Sequence, residues 1–440
     1  MTRLVTTIRF GARAAVALGA LSAVAATAAA QSIASRVSGA PDGRVQFSFA
    51  ARPGVCGNGH GFIQTSPGSI TTVNYSTYGN LNDGFKVEPC VPGPVRVVID
   101  RADRQPLSVQ TYVGPADSTL RGVTDLGQVS AQDAADYLLS MASSIDGRAG
   151  RDAIMPAMLA DGANTAPTLV AIAKNAALPR ETRRSALSYM GRSTDGMQTI
   201  PASVTDPVLA IARDETDNQS VRQQALSVLA RLDHGAGIPP LIQLSQQTQS
   251  NWLAKESMSA LARSGDPRAR QYLRTAVRRT DLPDEVLTVA LRALGQDYAT
   301  AQDAALLREL YPSLQTDRAR EAVMQSLTDI GGAENTKWLV SVAQNGSESL
   351  TTRRRAIDAA NRAGAPIADL VRVYDTTTDP SMKQALIGIY IRNGERPAVD
   401  KLLAILKGEE NLSVRRSAIS QLSRSDDPRI RQAIKDLINR

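Results

Sequence analysis

Two cysteines and a histidine in the first hundred residues are the side chains whose types and spacing first suggest chemistry. In "CGNGH", His60 follows Cys56 by four residues, and Cys90 is the only other cysteine in the chain. Two thiolates and one imidazole could hold a zinc ion with a coordination position left open, as catalytic zinc sites do. A metal-dependent hydrolase or lyase centred on these three residues is therefore one hypothesis.

A disulfide is the competing interpretation of the same cysteines, and we favour it. The spacing matches no standard zinc motif, and no fourth ligand or general base stands out. An even pair of cysteines in an exported protein usually forms a disulfide. A bond between Cys56 and Cys90 closes a loop of about 34 residues, which stabilises a fold by roughly 3–4 kcal/mol in the chain-entropy treatment. We predict this bond, no metal and no cofactor, and we expect His60 to be a polar loop residue.

Catalytic motifs are otherwise missing from the sequence. His234, the second of two histidines, falls in the turn "LDHGAG". No serine lies in a G-x-S-x-G pattern, and there is no H-E-x-x-H, Walker or dinucleotide glycine motif. We therefore predict that the chain is not an enzyme.

Residues 1–30 have the pattern of a cleavable export signal. Three arginines precede the apolar run "AAVALGALSAVAATAAA", and Ala28 and Ala30 fit the small residues required before a cleavage site. A transmembrane anchor would need about twenty strongly apolar residues, and this run is shorter and rich in alanine. We expect a periplasmic or extracellular protein with no membrane span after cleavage.

Net charge and aromatic content bear on the class of partner. The formal charge of +7 falls to +4 without Arg3, Arg9 and Arg13, and both signs are interspersed along the rest of the chain. Aromatic residues make up only 4% of the sequence, which leaves few side chains for stacking on bases. Both features argue against a nucleic-acid partner.

Residues 31–127 have a strand-like pattern and predict a small β-rich domain. "RVQFSFA" places Val45, Phe47 and Phe49 on one face, and "PVRVVID" and "LSVQTYV" flank the turn "RADRQP". The core of such a domain is thin, so a disulfide would reinforce it. After this domain, Ser130 is a candidate helix cap, and residues 128–164 are expected to form a helical cap on the rest of the chain.

Residues 165–440 contain a repeated helical pattern with intervals of 29 to 39 residues. An apolar residue follows each member of a column of small or β-branched residues by four positions, and a second helix accompanies each pair. The small column is Ala186, Ala225, Ser257, Ala290, Val323, Ala356, Ala385 and Ala418, and the apolar column is Met190, Leu229, Leu261, Leu294, Leu327, Ala360, Ile389 and Leu422. A pair of short amphipathic helices cannot bury its own apolar face, so successive pairs are expected to stack.

The repeated units resemble HEAT repeats of the short bacterial kind. The pattern Val-Arg-x-x-Ala-x-x-x-Leu is clearest in "SVRQQALSVLARL" (220–232) and "SVRRSAISQLSRS" (413–425). The resemblance implies a mainly α protein, a HEAT-type α-solenoid of about eight helical hairpins, preceded here by the small disulfide-linked β-rich domain. It also implies an extended concave surface, most often used for binding proteins. The resemblance does not imply a reaction.

Arginines at the start of the repeated helices are expected to pair with acidic residues of the protein itself. A cation in the first turn faces the positive end of the helix dipole and needs compensation. An acid lies five positions before three of these arginines, and HEAT family members use such pairs as a ladder along the turns. The predicted ladder pairs are Asp217 with Arg222, Glu348 with Arg353, and Glu410 with Arg415.

Polar residues that neither the packing columns nor the ladder explains are candidates for a partner-facing surface. They follow the ladder arginines by one or more positions and vary from repeat to repeat, and a solvated helix face is the alternative interpretation. The candidates are Arg184, Gln223, Ser227, Arg354, Arg355, Asp358, Lys383, Arg416 and Ser420. We predict a scaffold, expected to be monomeric, that binds a protein or peptide partner in the cell envelope along the concave face.

Overall fold

The chain folds into a small β-rich head followed by a long stack of helical hairpins. A computed structural model describes residues 32–60, 62–66, 69–72, 90–115, 122–191, 201–409, 411–423 and 427–438. The described part of the head comprises a short helix and eight strands: α1 (Ile33–Gly39), β1 (Gly43–Phe49), β2 (Cys56–Gly57), β3 (Phe62–Ser66), β4 (Ser69–Thr72), β5 (Val91–Pro92), β6 (Val95–Ala102), β7 (Gln105–Val113) and β8 (Val123–Gln128).

The first sheet of the head has the strand order β7-β6-β1-β8, with β8 parallel to β1 and the other pairs antiparallel. Val45, Phe47 and Phe49 are fully buried on one face of β1, as their alternation predicts. The predicted hairpin joins β6 to β7 through Asp103 and Arg104, both with positive φ. The Arg104 N–H donates to Asp42 Oδ1 at 2.9 Å, which helps to hold this tight turn.

The second sheet has the order β4-β3-β2-β5 and contains the predicted disulfide. Cys56 lies on β2 and Cys90 just before β5, and their sulfur atoms are bonded with Cα atoms 5.2 Å apart. The bond therefore joins two segments that also pair in the sheet.

Three helices connect the head to the stack: α2 (Ala131–Ser144), α3 (Arg148–Asp152) and α4 (Ile154–Met158). Ser130 caps α2 by accepting from the Asp133 N–H, and Asp133 accepts in turn from the Ile33 N–H. Buried Arg52, beyond the end of β1, donates from Nε to the Ala160 carbonyl at 2.9 Å. These contacts make the head continuous with the helices rather than attached through a linker.

Eight helical hairpins follow within the residues that the structure describes, in agreement with the repeat pattern. Their paired helices are α5 (Ala166–Lys174) with α6 (Arg180–Gly191), α7 (Thr205–Arg213) with α8 (Gln219–Leu229), α9 (Ile238–Gln247) with α10 (Asn251–Arg263), α11 (Pro267–Ala276) with α12 (Asp284–Leu294), α13 (Ala301–Leu310) with α14 (Asp317–Ile330), α15 (Ala333–Gln344) with α16 (Leu350–Arg362), α17 (Ile367–Thr376) with α18 (Pro380–Asn393), and α19 (Arg396–Gly408) with α20 (Leu412–Leu422). A further helix, α21 (Pro428–Ile438), packs on α19.

The hairpins stack in two layers, one of odd-numbered and one of even-numbered helices. Neighbours in the even layer contact each other more extensively than neighbours in the odd layer. Closer spacing on one side bends a stack toward that side, so the even layer is the concave one. The small column explains the closeness, because it is fully buried at seven of its eight positions and only Ala385 is partly exposed.

Apolar packing runs without a break from Ile33 in the head to Ile430 in α21. Among the helices that the structure describes, none is long and apolar enough to cross a membrane. The predicted export signal and the ladder residue Glu410 lie outside the described residues.

Candidate functional site

The cysteine and histidine cluster does not offer metal ligands. Cys56 and Cys90 are bonded to each other, so neither sulfur is a thiolate. His60 is exposed, and its backbone N–H donates to Asn58 Oδ1. Within the described segments, no three His, Cys, Asp or Glu side chains form a group that could hold a metal ion. The hydrolase or lyase hypothesis thus loses the thiolates on which it depended.

The arginines at the helix starts of the even layer hold their own hairpins together. Four of them donate from Nε to a backbone carbonyl at the end of the preceding odd helix or, for Arg320, in the turn that follows it, where carbonyls lack intrahelical partners. The contacts are Arg183 to Ala173 at 2.8 Å, Arg222 to Ala212 at 3.1 Å, Arg320 to Leu314 at 3.1 Å and Arg353 to Ala343 at 2.9 Å. Because the Nε atom of each arginine donates within its own hairpin, the two terminal guanidinium nitrogens are available to the next hairpin.

Two of the three predicted ladder pairs are wrong by one repeat. Asp217 accepts two hydrogen bonds from Arg183 of the preceding hairpin, at 2.7 and 2.5 Å, and not from Arg222. Glu348 likewise pairs with Arg320 at 3.1 Å and not with Arg353. Each acid lies in the turn before its own even helix, which is where the terminal nitrogens of the previous arginine point. The ladder therefore links neighbouring hairpins.

A lysine and a glutamate make the corresponding link between α18 and α20. Lys383 Nζ lies 3.0 Å from Glu409 Oε2, and the Tyr374 hydroxyl donates to the same oxygen at 2.6 Å. Burial raises the pKa of Glu409, but the bonds from Tyr374 and Lys383 outweigh it and leave the pKa below its usual value. Lys383, which we predicted to face a partner, is instead part of the ladder. The third predicted pair, Glu410 with Arg415, stays a prediction because Glu410 is not among the described residues.

Other predicted partner-facing residues are engaged locally. Arg184 pairs with Glu181 on its own helix at 3.0 Å. Gln223 donates to Glu256 of the next even helix at 2.8 Å, and the Ser227 hydroxyl donates to the Gln223 carbonyl at 3.2 Å. These contacts use some of the hydrogen-bonding groups of the three side chains, which still lie at the surface. Arg354, Arg416 and Ser420 are exposed.

Two of the predicted residues, Arg355 and Asp358, line one cleft on the even layer. The cleft has a volume of about 520 Å³ and extends across α14, α16 and α18. Its walls carry three guanidinium groups and two carboxylates, and buried Met324 and Ala359 contribute apolar surface. The lining residues are Glu321, Met324, Gln325, Arg355, Asp358, Ala359, Asn361, Arg362 and Arg392.

The charges of the cleft divide into a paired and an unpaired set. Arg355 and Glu321 lie 3.0 Å apart, with their side chains 43% and 46% exposed, and neutralise each other. Asp358, Arg362 and Arg392 are exposed and form no hydrogen bond or ion pair within the described residues. This cleft therefore presents one carboxylate and two guanidinium groups that the repeat stack does not use.

Several residues of the cleft and the stack escaped prediction. Glu321 and Arg392 belong to no column, so only their proximity to Arg355 and Asp358 identifies them. A charge link in the odd layer, Arg274 Nε to Asp303 Oδ1 at 2.7 Å, was also missed. The pattern Thr300-x-x-Asp303 was its signal, since it forms a capping box at the start of α13.

Comparison with known families agrees with the hairpin geometry. Residues 205–295, which span α7 to α12, match the family model described as HEAT repeats. The three hairpins from α7 to α12 are HEAT repeats. HEAT repeats stack into superhelices with extended binding surfaces, so the body has the architecture of a protein-interaction scaffold.

Solved structures similar to this chain include enzymes and a protein studied for its lipid interactions. Human deoxyhypusine hydroxylase in complex with glycerol is 18% identical, with a TM-score of 0.27 over 54% of this chain and 96% of that one. The CpcE–CpcF complex of phycocyanin lyase from Nostoc is 17% identical, with a TM-score of 0.30 over 58% and 95%. Lipovitellin is 12% identical, with a TM-score of 0.44 over 79% and 40%. Scores this low support no shared function, and no curated protein matches the sequence.

Proposed function

We propose that this protein is an exported, non-enzymatic scaffold that binds a polypeptide partner along the even helix layer, with the cleft across α14, α16 and α18 as its central contact. The observation that carries the proposal is the set of charges left unused there. Arg362, Arg392 and Asp358 are exposed in one cleft and make no ion pair among the described residues.

The shape of the cleft favours a polypeptide over a small metabolite. It is a shallow opening between successive hairpins, whereas small-molecule sites usually bury most of their ligand in an enclosed apolar pocket. A polypeptide lying across three even helices would place acidic side chains at Arg362 and Arg392 and a basic side chain at Asp358. Buried Met324 and Ala359 supply apolar contact between these charges.

Two features support an envelope location. The first thirty residues have the order of basic, apolar and small residues that export signals show. The disulfide between Cys56 and Cys90 is of the kind that forms and persists in oxidising compartments. Together they support a partner that is itself periplasmic or extracellular.

Site-specific photo-crosslinking in cells that export the protein tests the proposal. A photoreactive amino acid at Gln325, in the cleft, should give a discrete crosslinked partner. The same amino acid at Lys337, exposed on α15 in the odd layer, is the matched control and should not. Reversing the charge at Arg362 and Arg392 together should abolish the Gln325 product. An identical set of products from both positions, or a product that survives the charge reversal, would show that this cleft is not the binding surface.

A further inference from the structure

Two arginines with the same backbone anchor, Arg222 and Arg353, form no ion pair among the described residues, and Arg222 is the more buried of the two. Arg183, Arg320 and Lys383 each pair with an acid of the following hairpin. Arg222 is anchored like Arg183, through Nε to a carbonyl ten residues earlier, and only 7% of it is exposed. Its buried NH2 nitrogen has no hydrogen-bond partner among the described residues.

The position of the missing acid can be identified by comparison with the paired junction. Asp217 immediately precedes Asn218, the residue that caps α8. The equivalent residue before Ser250, the cap of α10, is Gln249. Gln249 is exposed, and no hydrogen bond joins it to Arg222 in this structure. The carboxylate is therefore absent because this turn has glutamine where the previous turn has aspartate.

Trp252 covers the guanidinium in place of a carboxylate. The Cζ atom of Arg222 lies 4.6 Å from the centroid of the Trp252 ring. A cation–π contact offsets part of the cost of burying the charge but gives no acceptor to the NH2 nitrogen. Trp252 is also the second residue of α10, so the arginine lies beside a helix N-terminus, whose partial positive charge attracts an anion.

We propose that the junction between α8 and α10 is a carboxylate-binding site. A carboxylate from outside the repeat stack occupies, beside Arg222, the place that Asp217 occupies beside Arg183. The ring of Trp252, which is only partly buried, shifts to admit it. The acidic side chain of a bound polypeptide and a small free carboxylate share this chemistry. The site lies at a helix junction and does not depend on the function proposed for the cleft.

Tryptophan fluorescence gives a direct readout, because the chain has two tryptophans and Trp338→Phe leaves Trp252 as the only one. Sodium acetate should produce a saturable change in the fluorescence of this variant and a rise in Tm, and sodium chloride at equal ionic strength should produce neither. A capped pentapeptide with a central aspartate, compared with its asparagine analogue, tests whether the carboxylate comes from a polypeptide. A response to the aspartate peptide at lower concentration than to acetate assigns the site to a polypeptide.

Supplying the missing acid within the chain is the decisive variant. Gln249→Asp should raise Tm without ligand and abolish the fluorescence response to acetate, because its own carboxylate occupies the site. Gln249→Asn is the matched neutral control and should respond like the parent. The proposal is overturned if acetate and chloride act alike on the Trp338→Phe protein, or if Gln249→Asp still responds to acetate as the parent does.

Discussion

At the scale of single residues, the main structural device is an arginine that holds two hairpins at once. Arg183 shows it most completely, with Nε on the Ala173 carbonyl and both terminal nitrogens on Asp217. The two side chains are only 6% and 8% exposed. Charge-assisted bidentate bonds in such a setting are strong, and removing one partner leaves a buried charge unpaired.

Asp217→Asn should therefore destabilise the protein strongly. We expect the free energy of unfolding to fall by about 3–5 kcal/mol, as for other buried pairs that lose one charged partner. Urea unfolding followed by circular dichroism measures the change. Glu309→Gln is the control, because its pair with Arg278 is 65% and 49% exposed and should contribute less than about 1 kcal/mol. Equal effects of the two variants would contradict the importance given to the buried link.

A second prediction concerns acid pH and the fully buried Asp303. Burial raises the pKa of Asp303, but hydrogen bonds from Arg274 and Thr300 outweigh it and hold the pKa below the usual value of 3.8. Because the pKa is lower in the folded state, the stabilisation by this carboxylate is present above the unfolded-state pKa. It is lost as pH falls through the folded-state pKa.

Asp303→Asn should consequently be less stable than the parent at pH 7, and the difference should shrink as pH falls below about 4. Urea midpoints at a series of pH values down to the acid limit of folding measure this. A difference that stays constant with pH would mean that the ionised carboxylate of Asp303 contributes nothing specific.

The residue scale also shows where prediction from sequence succeeds. The arginine column and the acids before the helices were recognisable because each recurs at the repeat interval. Their pairing was not recognisable. Each acid could pair with the arginine five positions later or with the arginine of the preceding hairpin, and only the stacking geometry distinguishes the two. Lys383 was misassigned for the same reason, because its partner Glu409 lies in the next hairpin.

At the scale of elements, the small column determines how closely the even helices approach. Ser257 and Ser326 show two ways of burying a hydroxyl among these helices. Ser326 donates to the Leu291 carbonyl at 3.0 Å, across the boundary between α12 and α14. The hydroxyl of Ser257 is buried and has no partner within the described residues.

Ser257→Ala should leave stability unchanged or raise it by up to about 1 kcal/mol, because it removes an unsatisfied buried hydroxyl from a position where alanine is otherwise usual. Ser326→Ala is the matched comparison and should lower stability by about 1 kcal/mol, since a bonded hydroxyl is lost and a buried carbonyl loses a donor. Thermal unfolding of the two variants side by side measures both. The reverse order of their midpoints would refute this account of the two buried hydroxyls.

Elements were predicted well where a period governs them and poorly where it does not. The alternation in β1 and the helical spacing of the repeats both correspond to observed structure. The segment between head and stack was predicted to be helical, but its division into α2, α3 and α4 was not predicted. Gly147 and the helix break at Ala153 divide this segment, and neither carries a periodic signal.

At the scale of the whole molecule, eight stacked hairpins determine an extended shape. Neighbouring helices pack about 8–10 Å apart, so the stack alone is roughly 60–80 Å long. A compact chain of this length would have a radius of gyration of about 22 Å. We expect small-angle scattering to give a larger value and an asymmetric distance distribution with a long tail. A symmetric distribution at the compact value would contradict the stack.

The candidate cleft could be predicted only in part, because its lining residues converge through the stacking of the whole molecule. Arg355 and Asp358 lie three positions apart on one helix, so their common face follows from helix geometry. Glu321 and Arg392 come from hairpins on either side, and their convergence depends on the rotation between hairpins. That rotation results from packing along the whole core.

The displaced pairing of the ladder has a consequence for how such a chain can be rearranged. Each link takes its base from one hairpin and its acid from the next, so a link belongs to a junction rather than to a repeat unit. Excising the α7–α8 unit would remove Asp217 and Arg222 together and bring Arg183 against Gln249. The shortened protein would keep its repeat period, but Arg183 would be buried without a paired carboxylate. The loss or duplication of a single unit therefore changes which arginines of the stack lack an anionic partner.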